Sequence, residues 1–366
     1  MNVLGLSSYP IEAAATRCRM VQFVEPLAER KIDLTVSPFL DSRKFADFYT
    51  PGKFFRKAFG IGQPVFRRLA ESFRVRKFDL LFVQREAMFF GPAFFENLYR
   101  KIGNLPLVLD LDDATYVGYE SPTYGKLGSF LKFFGKTDNL IRQASVVTCG
   151  NRFIAEYVRE KGTEAVIIPT VVDTEIFRPS EKTNKIPVIG WIGTHSTFPF
   201  VESIFPVLQR LAQKHEFVLK IVGAGREKVE IDGVKIENPN WNLEREVSDF
   251  RSLDIGLYPV KTSGSASSEW LLGKSGFKAI QYMAVGVPFV MSPVGVCAEI
   301  GEPDETHFAA ESDEQWYKSL DKLLSDAKLR EQMGASGRRH SLARYTVPAQ
   351  ADILAETFHG ILRKRF

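Results

Sequence analysis

Two lysines beside the predicted start of a helix are the residues whose type and spacing most clearly suggest chemistry. Lys274 and Lys278 lie where glycines lead into helical spacing over residues 277–284, and Pro288 ends that helix before a short apolar strand. Cations are unfavourable at a helix N-terminus unless an anion shares the site, because unpaired N–H groups and the helix dipole favour negative charge there. The pattern therefore predicts a phosphate site. The alternative is that both lysines are simply solvated.

A loop rich in glycine and hydroxyls follows another predicted strand. Its residues are Gly193, Thr194, His195, Ser196 and Thr197. Backbone N–H groups and hydroxyls of such a loop, together with the two lysines and with Gly223 at the end of the next strand, describe a diphosphate cradle. Gln281, about one turn into the helix, could bind a ribose hydroxyl through its amide. His195 either donates to phosphate or sugar or is merely exposed.

Charged residues also occur at two turns in the first half of the chain. Asp110, Asp112 and Asp113 come at the end of a buried strand, where they could hold a metal, act as a base, bind sugar hydroxyls or cap the following turn. A metal is the least favoured of these, since no histidine or further acid lies at ligand spacing. Arg17 and Arg19 lie near the start of the first helix on nearly opposite faces, so one of them could bind an anionic acceptor.

Two successive series of strands and helices would hold these residues. The first series has helices over residues 13–29 and 151–161 and apolar strands over residues 2–7, 32–38, 79–84, 105–111, 145–148 and 165–168. The second has strands over residues 187–192, 217–222, 255–259 and 289–291. Because parallel sheets bind ligands at the carboxyl ends of their strands, we predict an α/β fold of two Rossmann-like, doubly wound domains facing a cleft. The expected boundaries are 1–173, a linker over 174–186, 187–346, and a C-terminal helix over 347–366 that returns to the first domain.

The composition is that of a folded protein without a disulfide framework. The chain has 366 residues, 45% of them hydrophobic and 25% charged, with a net charge of +4. This charge suits anionic small molecules or an anionic membrane surface, and no nucleic-acid motif accompanies it. Three widely spaced cysteines, Cys18, Cys149 and Cys297, favour a reducing compartment and apolar packing roles. We therefore expect a cytoplasmic protein, soluble or peripheral at the inner membrane face.

Residues 48–78 interleave phenylalanines with lysines and arginines. A basic amphipathic helix with aromatic residues can lie in a membrane interface, held by apolar burial and by anionic headgroups. The alternative is an ordinary helix whose phenylalanines pack on the sheet.

Several segments together resemble a known family. In the second half, IGWIGTHSTFPFV, LKIVGAG, DIGLYPV and GKSGFKAIQYMAVGVPFVMSPVGVCAEI resemble the donor-binding domain of glycosyltransferase family 4, which has the GT-B fold. In the first half, SSYPIEAAATRCRM resembles the first loop of that family, VLDLDDATY a strand end of its relatives, and VVDTEIFRP the crossing into the second domain. The resemblance covers nearly the whole chain in order.

The resemblance implies retaining transfer of a sugar, of hexosyltransferase type, from a nucleotide-diphosphate-sugar to a glycan or lipid-linked acceptor, without a metal or other cofactor. A role in cell-surface polysaccharide or glycoconjugate synthesis follows. The implied catalytic residues are Lys274, Lys278 and Asp113. The implied donor-binding residues are Gly193, Thr194, His195, Ser196, Thr197, Gly223 and Gln281, and the acceptor-side residues are Arg17, Arg19, Asp110 and Asp112.

The chain departs from the common pattern of that family at two positions. Many members have two glutamates eight positions apart, where this chain has Gly273 and Gln281. The absence of the first acidic residue motivates one alternative, a catalytically silent scaffold or partner protein. A further alternative is a nucleotide-sugar epimerase of the same fold.

Overall fold

The chain forms two compact α/β units. The computed structural model describes residues 1–49, 60–118, 131–181, 183–260 and 268–364. One unit comprises Met1–Thr170 and Val347–Phe366, and the other comprises Val171–Thr346. Part of the basic, phenylalanine-rich stretch, residues 50–59, and most of the polar loop before Ser268 lie outside the described residues.

A six-stranded sheet forms the centre of the first unit. Its strands are β1 (Asn2–Ser7), β2 (Asp33–Pro38), β3 (Leu80–Gln84), β4 (Leu107–Leu111), β5 (Val146–Cys149) and β6 (Ala165–Ile167). Their order is β2-β1-β3-β4-β5-β6, and all neighbours are parallel. Residues of β3, β4 and β5 are buried throughout, which explains why these strands are continuous apolar runs rather than alternating ones. The six strand positions confirm the sequence prediction to within about two residues.

Helices cover this sheet. They are Ala14–Arg19, Val24–Glu29, Ser42–Tyr49, Gly62–Ser72, Phe94–Gly103, Gly135–Gln143 and Arg152–Glu160, with 3₁₀ turns at Val21–Phe23 and Val75–Lys77. The single helix predicted over residues 13–29 is wrong, because the backbone leaves the helical region at Met20, with φ −132° and ψ −61°. The break places Pro26 in the first turn of the second helix, where a missing N–H removes no helical hydrogen bond.

The second unit has its own six-stranded parallel sheet. Its strands are β7 (Val188–Ile192), β8 (Val218–Val222), β9 (Lys235–Glu237), β10 (Ile255–Tyr258), β11 (Phe289–Met291) and β12 (His307–Ala309). Their order is β12-β11-β10-β7-β8-β9. The two edge strands, β9 and β12, have three residues each and were not predicted, because neither is a continuous apolar run like the equally short β11.

Helices also flank this second sheet. They are Phe198–Glu202, Phe205–Ala212, Glu246–Arg251, Ser268–Leu272, Phe277–Ala284, Asp313–Ser325 and Ala327–Arg344, with 3₁₀ turns at Leu243–Arg245 and Gly295–Glu299. The helices Phe198–Glu202 and Phe205–Ala212 follow one another closely, and Pro206 lies in the first turn of the second.

Two segments attach far from their chain neighbours. The C-terminal helix Val347–Arg363 packs on the first unit, where the rings of Phe358 and Phe82 lie 5.3 Å apart. Residues of the predicted linker are part of the second unit and pack against it. Arg338 donates to the carbonyl oxygens of Phe177, at 2.7 Å, and Thr174, at 2.9 Å. All three cysteines are buried and none forms a disulfide, which agrees with their predicted packing role.

Candidate functional site

The glycine loop after β7 lies against the end of β8 in the second unit. The N–H of Gly193 donates to the carbonyl oxygen of Val222 at 3.0 Å. Gly223 has φ +80°, and a Cβ atom there would lie 2.4 Å from the carbonyl oxygen of Gly193. Only glycine fits this approach, because any side chain would collide with backbone and strain the left-handed conformation. The loop and the strand end can therefore lie this close only because Gly223 has no side chain.

The hydroxyl residues of this loop form a compact turn. The N–H of Thr197 donates to the carbonyl oxygen of Thr194 at 2.9 Å, and the hydroxyls of Thr194 and Ser196 lie 2.9 Å apart. The side chains of Thr194, His195 and Ser196 are exposed, and that of Thr197 is half-buried. The turn leaves polar side chains accessible at the carboxyl edge of the second sheet.

The two lysines lie against aromatic rings at the same edge of that sheet. The ammonium of Lys274 is 3.8 Å from the ring centre of Trp270 and 5.5 Å from that of Phe200, which follows the hydroxyl loop. The ammonium of Lys278 is 5.8 Å from the ring centre of Tyr258, at the end of β10. Cation–π attraction of this kind helps to fix the position of an ammonium.

The helix Phe277–Ala284 begins without a side-chain cap. The N-cap position is Gly276, with φ +64°, which has no side chain to bond the first N–H groups. Lys278 lies in its first turn, whereas Gln281 lies one turn later and is 4% exposed. The structure thus brings both lysines, the hydroxyl loop and the uncapped helix start to one edge, and it places Gln281 deeper in the same unit.

A buried thiol lies close to both lysines. Burial raises the pKa of Cys297 to about 11, although a hydrogen bond with Tyr258 and the charges of Lys274 and Lys278 lower it. The thiol is therefore protonated and neutral at physiological pH, so it does not neutralise the charge of either lysine. This residue was assigned only to packing by its sequence.

In the first unit, two of the predicted acceptor-side residues, Arg19 and Asp110, form a buried ion pair. Arg19 and Asp110 are each 1% exposed, and the Arg19 Nε donates to Asp110 Oδ2 at 3.0 Å. Thr148 also donates to Asp110, at 2.6 Å, and Arg19 donates to the carbonyl oxygen of Ile168. Burial opposes the charge of Arg19, but Asp110 outweighs it and raises the pKa of the guanidinium. The pair therefore ties the N-terminal helix to the ends of β4 and β5, with its polar atoms turned inward.

A second arginine, Arg85, organises the other two carboxylates. It donates to Asp112 Oδ2 at 2.7 Å and to Asp113 Oδ2 at 2.7 Å, and Gln84 donates to Asp112 at 3.1 Å. Burial would raise the pKa of Asp112, but the guanidinium of Arg85 outweighs it and lowers that pKa. Asp112 is buried, whereas the side chain of Asp113 is 39% exposed. Asp113 is therefore the carboxylate that this edge presents to solvent.

Arg85 adopts a backbone conformation that a side chain of its size rarely takes. Its φ is +60°, in the left-handed region, which costs roughly 1–2 kcal/mol for a residue with a Cβ atom. Such strain persists where surrounding contacts over-determine the conformation, and here three hydrogen bonds to carboxylates do so. Its place directly after a buried strand was the available sequence signal.

Arg17 lies apart from these pairs. It is half-buried, and its guanidinium donates to the carbonyl oxygens of Ile11, at 3.1 Å, and Glu12, at 3.3 Å. The two arginines therefore lie in different surroundings, Arg19 buried against the sheet and Arg17 half-buried, and acceptor binding by one of them stays a prediction. Within the described residues, no group of three or more His, Cys, Asp or Glu side chains could hold a metal ion.

The comparisons with known proteins agree on the fold. The chain superposes on sucrose-phosphate synthase of Thermosynechococcus elongatus with a TM-score of 0.70 at 13% identity, over 100% of both chains. HepE of Anabaena in complex with UDP gives 0.66 at 15% identity, over 98% of this chain and 100% of that chain. A glycosyltransferase of Rickettsia africae gives 0.69 at 14% identity, over 99% and 98%. The fold is GT-B.

One family model matches part of the sequence. Residues 265–340 match the family described as glycosyl transferases group 1. The match contains Lys274, Lys278 and Gln281, and it ends within the helix Ala327–Arg344. No curated protein matches the sequence. In the part of the chain that the structure describes, no helix has both the length and the apolar character needed to cross a bilayer.

Proposed function

We propose that this protein is a retaining glycosyltransferase that moves a hexose from a nucleotide-diphosphate-sugar to a glycan or lipid-linked acceptor. One observation carries the proposal. The group 1 family match falls on the segment that places Lys274 and Lys278 at an uncapped helix start, on the carboxyl edge of a GT-B unit. The Anabaena neighbour has been solved with UDP and with UDP-glucose, which supports a uridine nucleotide donor here.

The proposed chemistry is stabilisation of a leaving diphosphate. As the bond from the anomeric carbon to the diphosphate oxygen breaks, negative charge develops on the phosphates. Lys274, Lys278 and the N–H groups of the helix start are already in place to bind that charge, and one preorganised donor is typically worth about 3 kcal/mol. The exposed side chains of Thr194 and Ser196 add hydroxyl donors. Since these groups supply the positive charge, we propose that no metal or other cofactor takes part.

Retention of configuration follows if the acceptor attacks from the face that the diphosphate leaves. The acceptor oxygen then bonds to the anomeric carbon, and its proton passes to the departing phosphate oxygen, so no protein nucleophile is needed. On the first unit, Asp113 is proposed to orient the acceptor hydroxyl, and Arg17 to bind an anionic part of the acceptor. Arg19, Asp110 and Asp112 would act through position, by fixing the strand end that carries Asp113.

A synthesis role at the cytoplasmic face of a membrane completes the proposal. The acceptor would be a growing cell-surface polysaccharide or another glycoconjugate, and it would be presented in solution or on a lipid. The net charge of +4 suits an anionic surface.

The first experiment is a thermal-shift screen against UDP, GDP, ADP and their common sugar conjugates. A ligand that binds only the folded protein adds about 2.7 kcal/mol at a hundredfold excess over its Kd. We expect one base to raise Tm, and the matching sugar nucleotide to be consumed only when an acceptor is added. Consumption without acceptor would instead indicate an epimerase, and no shift with any nucleotide would indicate a scaffold protein.

Replacing Lys278 by alanine should reduce transfer by roughly a hundredfold or more while leaving the unfolding transition unchanged. The matched control is Lys228→Ala, because Lys228 is 76% exposed and lies outside the loop and helix start described above. Turnover of Lys278→Ala near that of Lys228→Ala would refute the assignment. Activity that survives chelation by EDTA would support metal-free transfer.

A further inference from the structure

The helix Gly62–Ser72 carries large apolar side chains on its solvent side. Phe66 is 72% exposed, Leu69 is 39% exposed, and Phe73, directly after the helix, is 87% exposed. Positions three and seven residues apart lie on the same face of a helix. These three residues therefore form a continuous apolar ridge.

The opposite face of the helix is anchored to the sheet by one arginine. Arg68 is 1% exposed, and its guanidinium donates to the carbonyl oxygens of Ser7, at 3.1 Å, Ser37, at 2.8 Å, and Ala87, at 3.3 Å. These carbonyls follow or end strands β1, β2 and β3. Because that anchor fixes the rotation of the helix, the apolar ridge cannot turn inward to be covered by the sheet.

The exposed charged side chains of the segment that carries the ridge are all basic. Between residues 60 and 78, the exposed charged side chains are Arg67, Arg74, Arg76 and Lys77. Glu71, the acidic residue of this segment, is half-buried and is engaged by Arg68 at 2.9 Å and by the hydroxyl of Tyr99 at 2.8 Å. At the start of a neighbouring helix, Asp41 lies near Arg67 and is paired with Lys44 at 2.5 Å. An apolar ridge with basic side chains along its own segment matches the interface of an anionic bilayer, where aromatic rings enter the headgroup region and basic groups meet phosphates.

We propose that the ridge of Phe66, Leu69 and Phe73, with the basic side chains along its segment, docks this protein on an anionic lipid bilayer. Since Arg68 ties the helix to the carboxyl ends of β1 and β2, docking would bring the carboxyl edge of the first sheet to the membrane surface. Asp112 and Asp113 follow β4 at that same edge. The inference rests on the proposed function in one respect, because it assigns the acceptor to the class of lipid-linked saccharides.

The test is co-sedimentation with vesicles of phosphatidylcholine that contain about one third phosphatidylglycerol, against vesicles of phosphatidylcholine alone. We expect the wild-type protein to bind the anionic vesicles at low salt and to bind the neutral ones at least about tenfold more weakly. Phe66→Ser with Phe73→Ser should lower binding to anionic vesicles by about tenfold or more. Arg74→Gln with Lys77→Gln should lower it and reduce its dependence on salt.

Ile176→Ser with Leu342→Ser is the matched control, because Ile176 and Leu342 are 56% and 44% exposed but lie outside the ridge. This variant should sediment as the wild type does. Failure of the wild-type protein to sediment with anionic vesicles, or equal sedimentation of the Phe66 and Phe73 variant, would overturn the proposal. So would a dimer in sedimentation velocity that the same variant dissociates, since the ridge would then pair with a second copy.

Binding of UDP by the same variants, followed by thermal shift, separates this proposal from the proposed function. Vesicle binding without any nucleotide binding would leave the docking surface standing and refute donor binding. Nucleotide binding without vesicle binding would have the reverse meaning.

Discussion

At the scale of single residues, aromatic rings place the charges of the proposed donor site. The ammonium of Lys274 is closer to Trp270, at 3.8 Å, than to Phe200, at 5.5 Å. A lysine has a flexible stem, and its ordering costs entropy whenever it binds an anion. A ring that already holds the ammonium removes part of that cost, so Trp270 is expected to favour diphosphate binding without touching the diphosphate.

Replacement of Trp270 by leucine is predicted to weaken UDP binding by about 1 kcal/mol, or roughly fivefold in Kd, while Phe at this position retains most of the affinity. Titration calorimetry with UDP and with uridine measures this. Uridine lacks the diphosphate, so the leucine variant should bind uridine as tightly as the wild-type protein does. An equal loss for uridine would mean that Trp270 acts through the fold or through the base instead.

The carboxylate group on the first unit leads to a prediction about pH. The pKa of Asp112 is lowered by Arg85, so this ion pair stabilises the folded state above the unfolded aspartate pKa of about 4, and the stabilisation is lost as the pH falls through the folded value. Arg85→Gln should therefore lower the unfolding free energy at pH 7 by about 2 kcal/mol, discounted because Arg85 is partly exposed, and should flatten the acid limb of the stability curve.

Chemical denaturation between pH 7 and pH 3 measures both effects. Arg30→Gln, which breaks the surface pair with Asp352, is the control and should change stability much less. An Arg85→Gln curve parallel to that of the wild type at all pH values would show that Arg85 does not set the ionisation of Asp112.

At the scale of elements, a turn can require glycine for its positive φ alone or also because another part of the backbone lies close to it. Gly223 and Gly162 both have positive φ, +80° and +85°, but only Gly223 would bring a Cβ atom against another backbone atom, and nothing lies within 4 Å of such an atom at Gly162. The pair separates conformational strain from collision.

Gly162→Ala should cost about 1 kcal/mol, from strain alone. Gly223→Ala should cost more, and it should also weaken UDP binding, because the carbonyl of Gly193 must move and take the hydroxyl loop with it. Denaturant unfolding and thermal shift with UDP measure the two effects. Equal costs, with UDP affinity unchanged in Gly223→Ala, would contradict the proposed donor role of this loop.

At the scale of the whole molecule, each unit is built around its own sheet, but the chain passes from the first unit to the second and then back to the first. The last helix belongs to the unit that contains the N-terminus. Its fully buried Phe358 lies on Phe82 of β3, and its Asp352 bonds Arg30 at 2.7 Å. The first unit is therefore complete only when this helix, which follows the whole second unit in the chain, has packed on it.

Phe358→Ala is predicted to destabilise the first unit by about 3 kcal/mol, the usual loss for a buried phenylalanine. Amide hydrogen exchange should show lower protection in β1 and β3, while β7 and β8 in the second unit keep theirs. The control is Ile353→Ala, since Ile353 is 36% exposed on the same helix. Loss of protection in both sheets would mean that the units unfold as one.

How much was predictable depends on whether the signal is local. The helix Phe277–Ala284 and the strand Phe289–Met291 occur where glycine and proline bound them in the sequence, and the parallel strands follow from their apolar runs. Met20 breaks the first helix without glycine or proline at that position, so the periodic pattern extended through it. The short edge strand β9 has a charged residue at each end, so no apolar run marks it in the sequence.

The sequence by itself determined the α/β class, the GT-B resemblance and the group of residues that gathers at the edge of the second sheet, because each strand end delivers its next residues to the same edge. Only the tertiary structure decided which charges are structural and which are accessible. Arg19 and Asp110 are 91 positions apart, and their burial against each other depends on strand order and packing. The same holds for the apolar ridge, since helical spacing identifies one face of the helix but only Arg68 and its carbonyl partners decide that this face is turned to solvent.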